Sequence, residues 1–458
     1  TIIVTAQFRE QALQDTPLSI TAVTSEMLAA RGQNSVYEIA NQVPNVTLKP
    51  SVAIWGPSLV ASIRGVGQYN FNPALEPGVG VFVDDVYNAT LTGSLLDLLD
   101  LERVEVLRGP QGTLTGRNSI GGAVRMITVQ PKGDNSGYVE AIGGSRKLVG
   151  MRGAIDVAVT DTISARIAGM VRSQEGYVEN LDYGCVNPNP DIPATTAASD
   201  CKRGPNMGGI GNQAIRAQVL FEPTDSFDFA LTGSYNHEDR MPAGPVLSMA
   251  NFDNPETNPL PGVPFDSRFI CGPFCNYATF QNGEGRDGYP AFASQVDPRT
   301  YYEGWEISGR GNYDFSDTLS LTSITAYREY TTSFGMDGDL SPARIDLESV
   351  SLKHEFFSQE ARLNADLGRV ALTVGGFYSW QETNMNYFLD IRPYFLQYVT
   401  DDYIPGETLA GFATAIIDVT DALTVTAGIR YTEEEKTYTY NQYRLDGSVN
   451  DPNLQGES

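Results

Sequence analysis

The chain has 458 residues, too many for one ordinary globular core, so it holds either several domains or one large barrel. Hydrophobic residues make up 41% of it, but charges interrupt every apolar run, which excludes helical spans of about 20 apolar residues. The net charge of -25 disfavours binding to nucleic acid. The chain has only two histidines, His237 and His354. This number disfavours a histidine-based zinc site or a hydrolytic triad.

The first third of the chain reads as a compact α+β domain. Short β-branched runs and glycine turns continue to about residue 132, with one amphipathic helix pattern at 24–43. We therefore predict a domain at 7–132, preceded by a short β-prone segment at 1–6 and followed by a different architecture at 133–458.

Beyond residue 133 the sequence predicts long strands. At 305–315 the odd positions are apolar, aromatic or glycine and the even positions are polar, and the same alternation returns at 215–222 and 423–431. A soluble β-sandwich would alternate in the same way, so alternation alone does not decide the fold.

The connections between these strands favour a transmembrane β-barrel. Tight turns are predicted at 160–162, 224–226, 316–318 and 420–422, whereas the connections near 175–211 and 238–303 are long. Outer-membrane barrels have short periplasmic turns and long external loops, and their alternating strands keep the mean hydropathy near neutral, here -0.23.

Four cysteines form two close pairs in stretches rich in proline, glycine and asparagine. We predict disulfides between Cys185 and Cys201 and between Cys271 and Cys275, as in an oxidising compartment. Metal binding by the second pair is the alternative, but no histidine lies nearby in the sequence.

Several segments of the first domain carry a family resemblance. They are TIIVTA at 1–6, SIRGV at 62–66, GVGVFVDDVY at 78–87, LERVEVLRGPQGTL at 101–114, GRN at 116–118 and GGAV at 121–124. In this order they resemble the plug of TonB-dependent outer-membrane receptors, the 101–114 segment almost residue for residue. The sequence departs from the pattern at Thr115, where an aromatic is usual, and at Arg125 and Met126, where Asn-Ile is commoner.

The resemblance gives the N-terminal segment a partner. Thr1, Ile2, Ile3, Val4 and Thr5 look like a TonB box, which adds a strand to TonB, itself energised by ExbB and ExbD. A short apolar terminus suits strand addition, because backbone hydrogen bonds supply the affinity. The alternative is that these residues are simply the first plug strand.

The resemblance also implies roles inside the plug. Arg64 and Arg108 match arginines that hold the plug to barrel-wall glutamates; the alternative is a surface role. The aromatic and amide-rich loops at Trp55 and at Gln68, Tyr69, Asn70 and Phe71 are expected to form plug apices that contact substrate, although aromatic loops also serve packing.

The expected fold is therefore an α+β plug inside an antiparallel transmembrane β-barrel. Roughly eleven strands are predicted between about 136 and 435, whereas plugged transporters use about 22. The sequence is thus expected to be part of a larger receptor, with the glutamates for Arg64 and Arg108 in further strands.

The expected function is TonB-dependent import of a scarce nutrient across the bacterial outer membrane. The resemblance makes a ferric siderophore the default, with oligosaccharide, cobalamin or another bulky nutrient as alternatives. A signalling receptor would need a domain ahead of the TonB box, and an enzyme would need a catalytic constellation that the sequence lacks. We expect no cofactor, no nucleic acid, contact with outer-membrane lipid and lipopolysaccharide, a periplasmic TonB box and extracellular long loops.

Overall fold

A computed structural model describes most of the chain. The described residues are 2–5, 8–9, 11–33, 35–51, 55–93, 99–110, 112–113, 115–188, 192–250, 265–281, 296–343, 345–391, 396–450 and 455–457. Among them, no helix has the length and apolar character needed to cross a membrane.

The first part of the chain, called the plug below, folds around two small sheets. Its elements are β1 (Ile3–Val4), β2 (Gln11–Ala12), β3 (Ile20–Thr24), α1 (Ser25–Ala30), α2 (Val36–Ile39), β4 (Val46–Pro50), β5 (Leu59–Ile63), β6 (Val66–Gly67), β7 (Val79–Val83), β8 (Val86–Tyr87), β9 (Leu101–Arg108) and β10 (Gly122–Thr128). One sheet has the order β3-β9-β10-β7-β8 and the other β4-β5-β6, while β1 and β2 pair separately. The two larger sheets enclose one apolar core, with Val79, Val104 and Val124 fully buried.

The single helix predicted at 24–43 is wrong. The structure has two short helices, α1 and α2, followed by a 3-10 turn at Ala40–Gln42. Gly32 follows α1 at a φ of 62°, the left-handed conformation that ends helices. Ser35 then starts α2, and its backbone N–H donates to Glu38 Oε2 at 3.1 Å. The apolar periodicity runs through both helices, which explains why the sequence reads as one.

The second part, called the wall below, is one antiparallel sheet together with one short helix and one separate two-stranded pair. Its elements are β11 (Gly137–Gly144), β12 (Leu148–Thr160), β13 (Ile163–Gln174), β14 (Glu179–Asn180), α3 (Tyr183–Val186), β15 (Ile210–Thr224), β16 (Phe227–Arg240), β17 (Cys275–Asn276), β18 (Thr300–Ser316), β19 (Leu319–Asp337), β20 (Asp346–Asp366), β21 (Val370–Ile391), β22 (Leu396–Thr420), β23 (Leu423–Lys436), β24 (Thr439–Tyr443) and β25 (Gln455–Glu457). The small pair β14 and β17 stands apart from the sheet.

The strand count agrees with the prediction. Strands β23 and β24 follow one another and both pair with β22, so they form one interrupted strand. With the three-residue β25 set aside, eleven strands build the wall within the described part of the chain. The fold-class prediction is confirmed, whereas the boundary at residue 132 stays a prediction.

The two ends of the wall differ. All of the predicted tight turns lie at one end, together with a further turn between β20 and β21; this is the short-turn end. The described parts of the connections at 175–209 and 241–299 begin and end at the opposite, long-loop end. Strands β20, β21 and β22 have 21, 22 and 25 residues, well beyond the roughly 10 that span a bilayer, so strands as well as loops extend this end.

The wall presents an apolar face that no other described part of the chain covers. Trp305, Ile307 and Phe315 on β18 are 43%, 46% and 55% exposed, and Ile429 and Tyr431 on β23 are each 73% exposed. A soluble sandwich would bury these residues against a second sheet. An outward apolar band on alternating positions is the arrangement of a strand wall that faces lipid.

Candidate functional site

The N-terminal strand is docked at the short-turn end. Strand β1 pairs antiparallel with β2, with Ile3 opposite Ala12, and does not join either plug sheet. Val4 is fully buried and Ile3 is 42% exposed. The Thr5 backbone N–H donates to Glu105 Oε1 at 3.1 Å. Thr1 and Ala6 lie outside the described residues, so the predicted TonB box is seen only through its middle four positions.

Glu105 connects this segment to a buried chain of charges. It is 0% exposed and accepts hydrogen bonds from Arg103 Nε at 2.8 Å and Arg125 Nη1 at 3.1 Å. Arg125 also pairs with Asp85 at the far side of the plug sheet. A continuous set of ion pairs therefore runs from the N-terminal strand across the plug.

Asp85 carries the chain of charges into the wall. Its Oδ2 lies 2.9 Å from Arg362 Nη2 on β20 and 3.8 Å from Arg310 Nη1 on β18. Burial opposes ionisation of Asp85, but the guanidinium groups of Arg125, Arg362 and Arg310 outweigh it and hold the pKa well below its usual range.

A tight hairpin turn positions this carboxylate. Strands β7 and β8 are joined by Asp84 and Asp85 alone, and both have positive φ values, 47° and 68°. Asp, Asn and Gly are the residues that such two-residue turns prefer. Asp84 accepts hydrogen bonds from the Thr128 backbone N–H at 2.9 Å and the Thr128 hydroxyl at 2.6 Å.

Among the described residues, three further ion pairs join the plug to the wall. Asp100 Oδ2 lies 2.6 Å from Arg166 Nε on β13. Arg117 Nη1 lies 2.7 Å from Glu434 Oε1 on β23, and Glu76 pairs with Lys436 at the end of the same strand. The plug is thus held by acidic and basic side chains on both partners, spread over several wall strands.

The two arginines predicted to lock the plug take no part in these pairs. Arg64 is exposed, has a φ of 55° and lies beside Gly109. Arg108 is half-buried, and its Nε has no hydrogen-bond partner in the part of the chain that the structure describes. Within the described residues neither has a wall glutamate as ion-pair partner, so their locking role stays a prediction. The sequence signal for Asp85, by contrast, was its place in the GVGVFVDDVY segment.

The predicted apex residues lie at the long-loop end of the plug. Trp55 packs on Phe334 of β19 with ring centroids 6.2 Å apart, and on Phe71 at 6.4 Å. Phe71 is buried, whereas Tyr69 is 65% exposed. The Gln68 side chain donates to the Asn70 carbonyl, and Asn70 is exposed. Trp55 and Phe71 are therefore packed, whereas Tyr69 and Asn70 are exposed, and contact of these residues with substrate stays a prediction.

The wall around the apex is rich in tyrosines and carboxylates. The Asn72 and Tyr438 side chains hydrogen-bond, and the Tyr438 hydroxyl donates to Asp402 Oδ2 at 3.1 Å. The other Asp402 oxygen has no hydrogen-bond partner among the described residues, although Asp402 is only 2% exposed. Tyr387 donates to Glu348 on the neighbouring strand. These groups, which the sequence reasoning missed, offer hydrogen-bond acceptors and aromatic faces next to the exposed apex.

Both predicted disulfides are present in the long loops. Cys185 is bonded to Cys201, and Cys271 to Cys275. The loops they belong to share a small apolar core, in which the Tyr183 ring lies 5.2 Å from Phe269 and 5.0 Å from Tyr277. The described parts of the long loops therefore pack against one another, and together they are called the cap.

This geometry defines the class: a plug domain held by ion pairs against the inner face of a β-barrel wall. Residues 12–123 match the family model "TonB-dependent Receptor Plug Domain" and residues 232–454 match "TonB dependent receptor-like, beta-barrel". The chain belongs to the TonB-dependent receptor family.

Relatives and solved structures agree with the family. The chain is similar to the pesticin receptor of Yersinia pestis, 30% identical over 147 residues that cover 32% of this chain and 21% of the relative. It is 24% identical to the vitamin B12 transporter BtuB of Photobacterium profundum over 43% of this chain and 33% of the relative. The ferric yersiniabactin uptake receptor FyuA from Yersinia pestis superposes with a TM-score of 0.71 at 19% identity, over 98% of this chain and 61% of that structure. The chain thus spans about three fifths of the length of that solved receptor.

Proposed function

We propose that this protein imports a scarce nutrient across the bacterial outer membrane in a TonB-dependent cycle. The short-turn end faces the periplasm and the long-loop end faces the exterior. Substrate is captured between the cap and the plug apex, and force from TonB, energised by ExbB and ExbD, then displaces the plug from the wall. The protein acts as a gated receptor without a catalytic step.

The observation that carries this proposal is the opposite placement of the two candidate sites. Strand β1 lies at the short-turn end, where Arg9 donates to the Ala365 and Leu372 carbonyls beside the β20–β21 turn. The apex lies at the other end, where Trp55 meets Phe334. A receptor that takes substrate from one side and force from the other needs this arrangement.

Strand β1 is suited to TonB because it is weakly integrated. It forms a two-stranded pair of two residues per strand, and an isolated pair of that size is marginally stable in water. Its separation from β2 would expose a backbone edge for strand addition. Thr1, Ile2, Ile3, Val4 and Thr5 are accordingly the TonB-binding residues.

We infer that the substrate is a ferric siderophore. The support is that similar proteins include a receptor described as taking up ferric yersiniabactin, and that the apex and its surroundings offer polar and aromatic contacts. Similarity to a vitamin B12 transporter keeps cobalamin as the second candidate. Trp55, Gln68, Tyr69, Asn70 and Phe71 are the proposed substrate-binding group, with Tyr69 and Asn70 the most accessible of them.

Uptake of radioactive iron tests the proposal. Cells that express the full-length receptor would be given catecholate, hydroxamate and phenolate ferric siderophores one at a time, with and without a functional TonB. The proposal expects accumulation of at least one compound only when receptor and TonB are both present. Accumulation of labelled cobalamin but of no siderophore would select the second candidate, and uptake that is the same without TonB would refute the mechanism.

A further inference from the structure

Buried carboxylates between the plug and the wall have basic partners. Asp85 and Glu105 contact guanidinium groups directly, and Asp100 pairs with Arg166. Burial removes a charge from water, and an opposite charge with hydrogen bonds compensates for that loss. A guanidinium or ammonium group is therefore the expected neighbour of a buried carboxylate.

The inner face of the wall above the plug departs from this arrangement. Glu348 on β20 and Asp402 on β22 are 8% and 2% exposed, and no Lys or Arg among the described residues forms an ion pair with either of them. Asp346, the next residue above Glu348 on the same face, has carboxylates as its charged neighbours. Lys436, lower on this face, pairs with Glu76 of the plug. Negative charge in this region is thus left without a cation from the described chain.

The Asp402 carboxylate has one oxygen that is not used. Its Oδ2 accepts hydrogen bonds from the Thr400 hydroxyl at 2.9 Å and the Tyr438 hydroxyl at 3.1 Å, whereas its Oδ1 accepts none within the described residues. The carboxylate faces the plug, because Tyr438 also hydrogen-bonds the Asn72 side chain of the plug. An acceptor that is buried without a donor costs free energy, and a donor on a bound molecule would remove that cost.

Tyrosines connect the two carboxylates. Tyr387 donates to Glu348, and its ring centroid lies 6.3 Å from that of Tyr398. Tyr398 in turn interacts electrostatically with both Glu348 and Asp402. Tyr398 and Tyr438 are half-buried, so part of each ring remains accessible. We call this surface the acidic band; it consists of Asp346, Glu348, Tyr387, Tyr398, Asp402 and Tyr438.

The acidic band suits an organic cation better than a metal ion. Within the described part of the chain, no group of three or more His, Cys, Asp or Glu side chains could hold a metal ion. A primary ammonium group requires only carboxylate oxygens for its N–H donors and aromatic faces for its charge. The plug apex already pairs these two partners, since Lys49 Nζ lies 5.7 Å from the centre of the Tyr69 ring.

We propose that the acidic band recognises a primary ammonium group on the imported nutrient, with Asp402 as its ion-pair partner and the rings of Tyr398 and Tyr438 packed against it. This inference rests on the proposed function, and it narrows the ferric siderophores to chelates that carry such a group. Chelates with only negative charge are disfavoured, because Glu348 and Asp402 would repel them.

Matched probes test the acidic band. They are ferric complexes of a hydroxamate, a catecholate and a phenolate chelator, each prepared with a free primary ammonium group and with the same nitrogen acetylated. Binding to the purified full-length receptor in detergent would be measured by calorimetry for the wild type and for Asp402→Asn. The matched control is Asp401→Asn, because Asp401 is the preceding residue on β22 and is exposed on the opposite face. Glu348→Gln is a second variant of the band, in case Asp402→Asn folds poorly.

The proposal expects at least one ammonium complex to bind the wild type about tenfold more tightly than its acetylated form, because the ammonium group adds a charge-assisted contact. This preference should be largely lost in Asp402→Asn and retained in Asp401→Asn. Equal binding of the two forms to the wild type, a preference that survives in both Asp402→Asn and Glu348→Gln, or binding of none of the complexes would overturn it.

Uptake of the same complexes separates this proposal from the proposed function. TonB-dependent uptake of the ammonium and acetylated forms at equal rates would leave import standing and overturn recognition of an ammonium group. Ammonium-selective binding to the purified receptor, without TonB-dependent uptake by cells, would support the acidic band and count against import. The two proposals therefore fail in different ways.

Discussion

Asp85 of the plug and Arg362 of strand β20 form an ion pair across the boundary between plug and wall, with Oδ2 and Nη2 2.9 Å apart. Their side chains are 13% and 3% exposed, and the residues are separated by 277 positions in the sequence. This pair joins the charges beneath the N-terminal strand to the wall.

The variant Asp85→Asn should loosen the plug. It removes the carboxylate that pairs with Arg125 and Arg362 and leaves Arg362 with Glu360 alone, and breaking a buried ion pair typically costs roughly 3 kcal/mol. We expect a lower unfolding temperature of the purified receptor in detergent, measured by calorimetry. Asp161→Asn, in an exposed turn of the wall, is the control and should leave the unfolding temperature unchanged. Equal unfolding temperatures for the two variants would refute a holding role for Asp85.

Glu105 should control how firmly the N-terminal strand is docked. Glu105→Ala removes the charged group that accepts the hydrogen bond from the Thr5 backbone N–H. Hydrogen bonds to charged groups typically contribute about 1.5–3 kcal/mol. Trypsin cleavage after Arg9, followed by mass spectrometry, should become roughly tenfold faster, since about 1.4 kcal/mol is tenfold in an equilibrium. Glu102→Ala also removes a carboxylate from Arg103 but leaves the Thr5 contact intact, so its cleavage rate should stay near that of the wild type. The same acceleration in both variants would contradict the prediction.

Asp346 should make stability depend on pH. This residue starts β20 at the long-loop end, beyond the part of the strand that spans a membrane, and burial together with Glu348, Asp339 and Asp390 raises its pKa to about 7. The folded state therefore keeps a proton that the unfolded chain releases near pH 4, so stability falls as pH rises from about 4 to about 7. Because the residue is partly exposed, we expect an effect on the order of 1 kcal/mol.

The variant Asp346→Asn isolates this contribution from those of other carboxylates. Unfolding temperatures of both proteins would be measured at several pH values between 5 and 8. The wild type should lose more stability than the variant over that range. Parallel pH profiles would show that Asp346 titrates as an ordinary carboxyl.

The two disulfides should differ in what they contribute. Their sequence separations are 16 and 4, and in the chain-entropy model the longer loop gains about 1 kcal/mol more from closure. Replacing Cys185 and Cys201 with Ser should therefore increase proteolysis at Lys202 and Arg203 more than the matched replacement of Cys271 and Cys275. Greater sensitivity after the second replacement would contradict the entropic account.

Local sequence patterns made the architecture predictable. Contacts between residues far apart in the sequence could not be predicted. Alternation at 305–315 placed β18, and the Thr-Asp-Thr and Ser-Asp-Thr triplets placed turns, because both depend on neighbouring residues. The partner of Asp85 could not be read in this way, since Arg362 comes near it only after the wall has folded around the plug. The same reason explains why Asp402 and Tyr438 beside the apex were missed, since they too come near the plug only in the folded receptor.

The central claim is that TonB binds the receptor at the strand Ile3–Val4. Ile3→Pro would remove a backbone N–H from that strand, while Ile3→Thr keeps the N–H and a β-branched side chain. Proline would also loosen the docked strand and so make it more accessible. Weaker binding of TonB to this variant therefore could not be caused by a less accessible strand. We predict that the purified soluble domain of TonB binds the full-length Ile3→Pro receptor at least tenfold more weakly than the wild type, as measured by calorimetry, and binds Ile3→Thr with near wild-type affinity. Equal affinity of TonB for the Ile3→Pro receptor and the wild type would contradict the account.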